Sequence, residues 1–187
     1  MPNHSRFSIN LALNVFNITA NIELSENSER KFINDSRLVK AGDIFAATLG
    51  YISDGRDYIE KAISLGAELV IAQTEVANEH GKVTKIKNVH VVYFYQLNEH
   101  LFSLSSLYYL QPSKKLVSIG ITGTNGKTTT SQIVSQLLES CGKSCAVIGT
   151  TGAGKLNALT PIANTTPGPT ELNTLLSEFV NNGITHV

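Results

Sequence analysis

The chain has 187 residues, 42% of them hydrophobic, enough to bury one domain-sized core or two small ones. Fifteen basic and fifteen acidic residues cancel, which excludes a global field that draws the chain to nucleic acid or to an anionic membrane, so any phosphate binding has to come from a local site. No apolar run approaches the roughly 20 residues of a membrane span, and Met1-Pro2-Asn3-His4-Ser5-Arg6 lacks the apolar block of a signal peptide, which makes the cytoplasm the expected location.

The first element expected is a short apolar strand, Asp43-Ile44-Phe45-Ala46-Ala47, followed by a loop over Gly50-Tyr51-Ile52-Ser53-Asp54-Gly55. Tyr58, Ile59, Ala62, Ile63 and Leu65 form a helical stripe that Gly66 ends. Strands are predicted at Leu69-Val70-Ile71-Ala72 and Val89-His90-Val91-Val92-Tyr93, then a helix with Leu97, Leu101, Leu104 and Leu107 on one side, extended by Tyr108 and Leu110 and stopped by Pro112. The polar run Pro112-Ser113-Lys114-Lys115 is the expected domain boundary, giving domains over 1–112 and 113–187.

Beyond it the pattern reads strand, glycine-rich turn, helix, strand. Leu116 to Ile121 is the first strand, and the helix carries Ile133, Val134, Leu137, Leu138 and Cys141 before Gly142. Cys145-Ala146-Val147-Ile148 is the next strand, and such a parallel pair places a nucleotide at its carboxyl end. A last helix is predicted with Thr170 as N-cap and Leu172, Leu175, Leu176, Phe179 and Val180 on one face, then a strand at Ile184-Thr185-His186-Val187. Two strands of a parallel sheet cannot cover themselves, so the second domain is expected to be truncated.

Gly123, Thr124, Asn125, Gly126, Lys127, Thr128 and Thr129 carry the chemistry. Glycines let backbone N–H groups close on phosphate oxygens, and the helix that follows points its positive end at the same anion. Lys127 adds a full charge, and the Thr128 hydroxyl can hold a magnesium ion. Ile121 stands where the strict eight-residue phosphate loop has its first glycine, leaving the tighter Gly-Thr-Asn-Gly-Lys-Thr-Thr. Elsewhere the residues read as structural. Cys141 and Cys145 fit neither a zinc knuckle nor a redox pair and are expected buried or half-buried, while the five histidines have no ligand spacing. Asp54 and Arg56 read as a turn and a solvated charge.

Gly123 to Thr130 resembles the ATP loop of the Mur ligases, which build the peptidoglycan stem peptide, and of their folylpolyglutamate synthetase relatives. Asp35-Ser36-Arg37, Gly42-Asp43-Ile44-Phe45-Ala46-Ala47, Asp54-Gly55, Ala62-Ile63, Gly66-Ala67 and Gln96-Leu97-Asn98 are similar to the first domain of the MurE type, as are Ile148-Gly149-Thr150-Thr151-Gly152 and Asn164-Thr165-Thr166-Pro167 further on. The match runs in register from about Asp35 to the end.

The resemblance implies an α/β protein, with a small N-terminal UDP-binding domain followed by the start of a mostly parallel, phosphate-loop ATP-binding domain. It implies an ATP- and magnesium-dependent ligase that adds the third residue, meso-diaminopimelate or L-lysine, to UDP-N-acetylmuramoyl-L-alanyl-D-glutamate through an acyl phosphate, as a cytoplasmic monomer. Residue by residue, it implies that Gly123 to Thr129 hold ATP, with Lys127 catalytic on the outer phosphates and Thr128 on magnesium. Ser36, with the loop Tyr51, Ile52 and Ser53, would hold the uridine end, and Asn164, Thr165 and Thr166 the muramoyl-peptide. The Glu-Val-Ser-Ser-His segment of the family has no counterpart in the sequence, so the chain alone is expected to lack a complete active site. Three other readings remain open: another Mur or folate-type ligase, a non-catalytic UDP-sugar or nucleotide-binding module, and an unrelated phosphate-loop switch protein.

Overall fold

In the computed structural model, residues 8–27, 29–50, 53–162 and 165–187 are described. The chain divides into two units, His4–Tyr108 and Tyr109–Val187. The polar run 112–115 thus lies inside the second unit, as a 3-10 turn with Pro112 at its start.

The first unit contains α1 (Ile9–Asn14), β1 (Phe32–Ile33), β2 (Ile44–Ala47), α2 (Ile59–Ser64), β3 (Leu69–Thr74), β4 (Val83–Ile86), β5 (Val89–Tyr95) and α3 (Leu97–Tyr108). The strand order is β1-β2-β3-β5-β4, parallel throughout except for β4. Every residue of β2 and β3 is buried, which is why both read as continuous apolar runs: a parallel sheet is covered on both faces. Phe45, Ala47, Val70 and Ala72 cluster with Ala62 of α2 on one face. Ile44, Ala46, Leu69 and Ile71 alternate with them to the other face, and α3 packs on β3 with Leu97, Leu101 and Leu104 buried.

Three elements of this unit, α1, β1 and β4, were not legible in the sequence. β4 alternates exposed and half-buried residues, as an edge strand does, and joins β5 through Lys87 and Asn88, both left-handed. That two-residue turn lacks the glycine that usually marks it. α3 ends at Tyr108, four residues before Pro112, because Leu110 and Gln111 are left-handed and turn the chain.

One ion pair tethers the N-terminal segment to the sheet. Arg30, 8% exposed, donates to Glu68, and the amide and hydroxyl of Ser25 reach the same carboxylate. Burial raises the Glu68 pKa, but the hydrogen bonds from Ser25 and Arg30 outweigh it and hold the group below its ordinary value. A depressed carboxylate contributes its stability above the ordinary pKa and loses it as the pH falls through the folded-state value. Glu68→Gln is therefore expected to destabilise the unit by about 1 kcal/mol at neutral pH. The gap between the two proteins should narrow as the pH falls below the ordinary carboxylate range, as urea unfolding at neutral and acid pH would show.

The second unit contains α4 (Lys127–Ser140), β6 (Val147–Gly149), β7 (Gly152–Lys155), β8 (Ala158–Thr160) and α5 (Pro169–Asn181). Residues 117–119 are extended and run parallel to 185–187: the Val117 amide donates to the Thr185 carbonyl at 2.9 Å and the Ile119 amide to the Val187 carbonyl at 2.8 Å. On the other side of 185–187 lies the segment leading into β6, with the Ala146 amide donating to the His186 carbonyl at 3.0 Å. The two segments expected to pair through the phosphate-loop helix are therefore not neighbours, because the C-terminal segment inserts between them. A crossover helix leaves room for an intervening strand, and periodicity says nothing about which strand fills it.

The antiparallel β6-β7-β8 meander adds two strands, β7 and β8, where the sequence reading assigned no element between Ile148 and the last helix. Thr170 is not the N-cap of α5. Gly168 holds that place with Pro169 at the first helical position, and Thr170 is 2% exposed inside the helix. Leu176 and Phe179 of α5 pack with Leu116, Ala146, Ala153 and Ile184. The apolar side of α4, by contrast, leaves Ile133 and Leu137 51% and 62% exposed. Cys141, expected at least half-buried, is exposed at the helix end, and Cys145 is buried. Among the described residues no helix is long and apolar enough to cross a membrane.

Candidate functional site

In the second unit the loop between residues 119 and 127 ends on two glycines that only glycine fits comfortably. Gly123 has φ +151° and Gly126 has φ +78°, conformations that L side chains rarely adopt. Gly126 is the N-cap of α4, and the helix starts with the Thr130 amide bonded to the Gly126 carbonyl at 2.8 Å. No side chain caps this end and no acidic residue sits in the first turn. The first-turn N–H groups and the positive end of a 14-residue helix therefore face the loop with no competing anion from the helix itself.

Lys127, exposed at the head of α4, folds back over the loop: its Nζ donates to the Gly123 carbonyl at 2.5 Å and to the Thr124 carbonyl at 3.2 Å. The ammonium group is thereby held against the carbonyls of the glycine loop, close to the helix end that would face a phosphate. The Thr128 hydroxyl lies 2.9 Å from the Thr150 hydroxyl, in the turn between β6 and β7. Asn125 and Thr129 are exposed in and beside the loop. This donor set suits ATP with magnesium: two left-handed glycines, one ammonium, uncapped helix amides and a hard hydroxyl oxygen.

Thr165 and Thr166 are exposed in the bend between β8 and α5, while Asn164 lies outside the described residues. Among the described residues no group of three or more histidines, cysteines or carboxylates could hold a metal ion.

In the first unit, Ser36 follows β1 and Ser53 follows β2. β1 and β2 are parallel neighbours, so both serines leave the sheet at its carboxyl edge, where open α/β sheets take ligands. Ser36 is buried in the turn after β1, beside the exposed Asp35–Arg37 pair. Arg37 holds the Asp35 carboxyl below its ordinary value. Tyr51 and Ile52 lie outside the described residues; on either side of them Leu49 and Asp54 form an antiparallel bridge, and the Gly55 amide donates to the Thr48 carbonyl at 2.8 Å. A Cβ at Gly55 would come within 2.6 Å of that carbonyl oxygen. Asp54 accepts from the Arg56 amide and side chain, and Arg56 holds its carboxyl below the ordinary value. The turn is as the sequence suggested, but Arg56 is half-buried and paired with Asp54 and Glu75, not the solvated charge expected.

Sequence reasoning missed two residues. Gln73, buried at the carboxyl end of β3, accepts with one Oε1 from the amides of Leu49 at 3.2 Å and Asn98 at 3.1 Å. It ties Leu49, just after β2, to the start of α3. A polar residue at the end of the apolar run Leu69-Val70-Ile71-Ala72 was the available signal. Thr150 gave none, because its partner is 22 positions away.

Fold and site together define a phosphate-loop nucleotide-binding unit in tandem with a small parallel-sheet α/β unit. Residues 32–109 match the family model described as Mur ligase family, catalytic domain, and residues 121–187 the Mur ligase middle domain. The chain belongs to the Mur ligase family. It is 44% identical over 162 residues to the UDP-N-acetylmuramoyl-L-alanyl-D-glutamate–2,6-diaminopimelate ligase of Haemophilus influenzae (strain 86-028NP), covering 86% of this chain and 33% of that protein. A solved structure of a ligase of the same name superposes with a TM-score of 0.62 at 30% identity, over 88% of this chain and 33% of that one. The MurF ligase of Thermotoga maritima, solved in complex with ADP, shares the fold at 23% identity and a TM-score of 0.51, over 79% of this chain and 29% of its own. The chain spans about a third of the length of the curated relatives it matches.

Proposed function

We propose that the protein carrying this chain is an ATP-dependent amide-forming ligase that joins 2,6-diaminopimelate to UDP-N-acetylmuramoyl-L-alanyl-D-glutamate in the cytoplasm, acting as a monomer. The observation that carries the nucleotide half is the Gly123-to-Thr128 loop, with Lys127 folded over it at an uncapped helix end. The substrate half rests on the 44% identity to a ligase of that name, which favours diaminopimelate over L-lysine as the third residue.

In this reading the first unit binds the uridine end through Ser36 and the segment Tyr51, Ile52 and Ser53, while Asn164, Thr165 and Thr166 meet the muramoyl-peptide. Lys127 and the helix amides hold the outer phosphates of ATP in line with the D-glutamate side-chain carboxylate, which attacks the γ-phosphorus and releases ADP. The amine of the diamino acid then attacks the acyl phosphate, expelling inorganic phosphate and forming the amide. Thr128 would hold a magnesium ion, whose charge offsets that of the outer phosphates.

The test incubates the full-length protein with ATP, magnesium, UDP-N-acetylmuramoyl-L-Ala-D-Glu and either meso-diaminopimelate or L-lysine. Diaminopimelate-dependent ADP release with formation of the tripeptide nucleotide is expected. Turnover with lysine alone would overturn the choice of diamino acid, and no ADP release with either would overturn the ligase reading.

A further inference from the structure

We infer that Thr150 is a positioning residue for the cation: it accepts a hydrogen bond from the Thr128 hydroxyl and so turns that oxygen's lone pair toward the metal and the outer phosphates. The inference rests on the ligase reading of the loop and assigns a role to a residue outside it.

A threonine near a helix start ordinarily bonds its hydroxyl back to the carbonyl three or four residues earlier. For Thr128 the carbonyl four back is that of Thr124, and it is taken by Lys127 Nζ. The Thr128 side chain instead reaches the Thr150 hydroxyl at 2.9 Å, while its own carbonyl accepts from Ser131 Oγ at 2.8 Å. A hydroxyl that ligates a cation through its oxygen has only its proton left to give, so its neighbour must accept. Thr150 Oγ1 is placed to do so.

The placement is rigid. Thr150 sits in the two-residue turn closed by the Gly149–Gly152 pair of β6 and β7. Gly152 has φ +119°, and a Cβ there would come within 2.5 Å of the Thr160 carbonyl oxygen, so the meander holds the turn against β8. The Thr150 side chain is also β-branched, which restricts its χ1 rotation. The residue is exposed, so replacing its hydroxyl by a methyl group leaves the core untouched.

The experiment titrates ATP into the full-length protein by calorimetry, with saturating magnesium and again in EDTA, for wild type, Thr150→Val, Thr150→Ser, Thr128→Val and the double valine variant. Wild type should bind more tightly with magnesium. Thr150→Val should lose about tenfold or more of that gain, with metal-free affinity changed less than about twofold. Thr150→Ser should stay within about threefold of wild type, because the acceptor is retained. The double variant should be no worse than Thr128→Val alone, since both changes break one linkage. A Thr150→Val protein with the wild-type magnesium gain, or strictly additive losses in the double variant, would overturn the inference while leaving the ligase reading intact. Absence of ATP binding by wild type in both conditions would instead remove the nucleotide reading on which the inference rests.

Discussion

Lys127→Ala in the full-length protein is expected to lower turnover at saturating ATP at least about 100-fold, with the fold unchanged. Removing one preorganised contact to transition-state charge costs about 3 kcal/mol or more. Lys127 is the cation that the fold itself places over the glycine loop, on the Gly123 and Thr124 carbonyls. Its side chain is exposed and alanine is a strong helix former, so α4 should persist. Steady-state kinetics alongside a thermal melt separates the two effects. Wild-type turnover in a folded variant would sink the assignment. Lys127→Arg distinguishes charge from shape: the planar guanidinium keeps the charge but cannot reproduce a compact ammonium seated on two adjacent carbonyls, so most of the loss should remain.

Phe45→Ala is expected to destabilise the first unit by about 3–5 kcal/mol. Phe45 lies in the middle of a fully buried strand, is 1% exposed, and packs with Val39, Ala62, Val70 and Val91. Its small neighbours Ala47, Ala62, Ala67 and Ala72 leave little side-chain volume that could move into the space. For a unit of about 100 residues that loss lowers the melting temperature by about 15 °C or more. A melting temperature within about 5 °C of wild type would show that the sheet relaxes around the deletion. Phe45 belongs to the first unit, so nucleotide affinity of the second unit, measured below the lowered melting temperature, should not change.

Much of the first unit was legible because its physics is local. β2 and β3 are continuous apolar runs, and α3 repeats leucine at spacings of three and four, so burial on two faces or one stripe is written in the order of residues. What escaped notice had no such periodicity. β1 is two residues long, α1 lies outside any strong pattern, and β4 is an edge strand whose turn uses Lys87 and Asn88 in place of glycine. The sequence puts the α5 cap two residues late because a threonine after proline resembles a cap, and the burial of Thr170 inside the helix is not visible in sequence.

The phosphate loop was also determined by sequence alone. Gly123 and Gly126 mark left-handed backbone, and Lys127 followed by threonines marks the helix start, because each requirement falls on a single residue type. Tertiary structure decided everything that joins residues far apart in the chain. It inserted 185–187 between the segment before the loop and the segment leading into β6, brought Gln73 to the amides of Leu49 and Asn98, and brought Thr150 to Thr128. Strand order and side-chain partnership follow from which surfaces fit when the whole sheet closes, and a one-dimensional pattern carries the face of each element but not its neighbour.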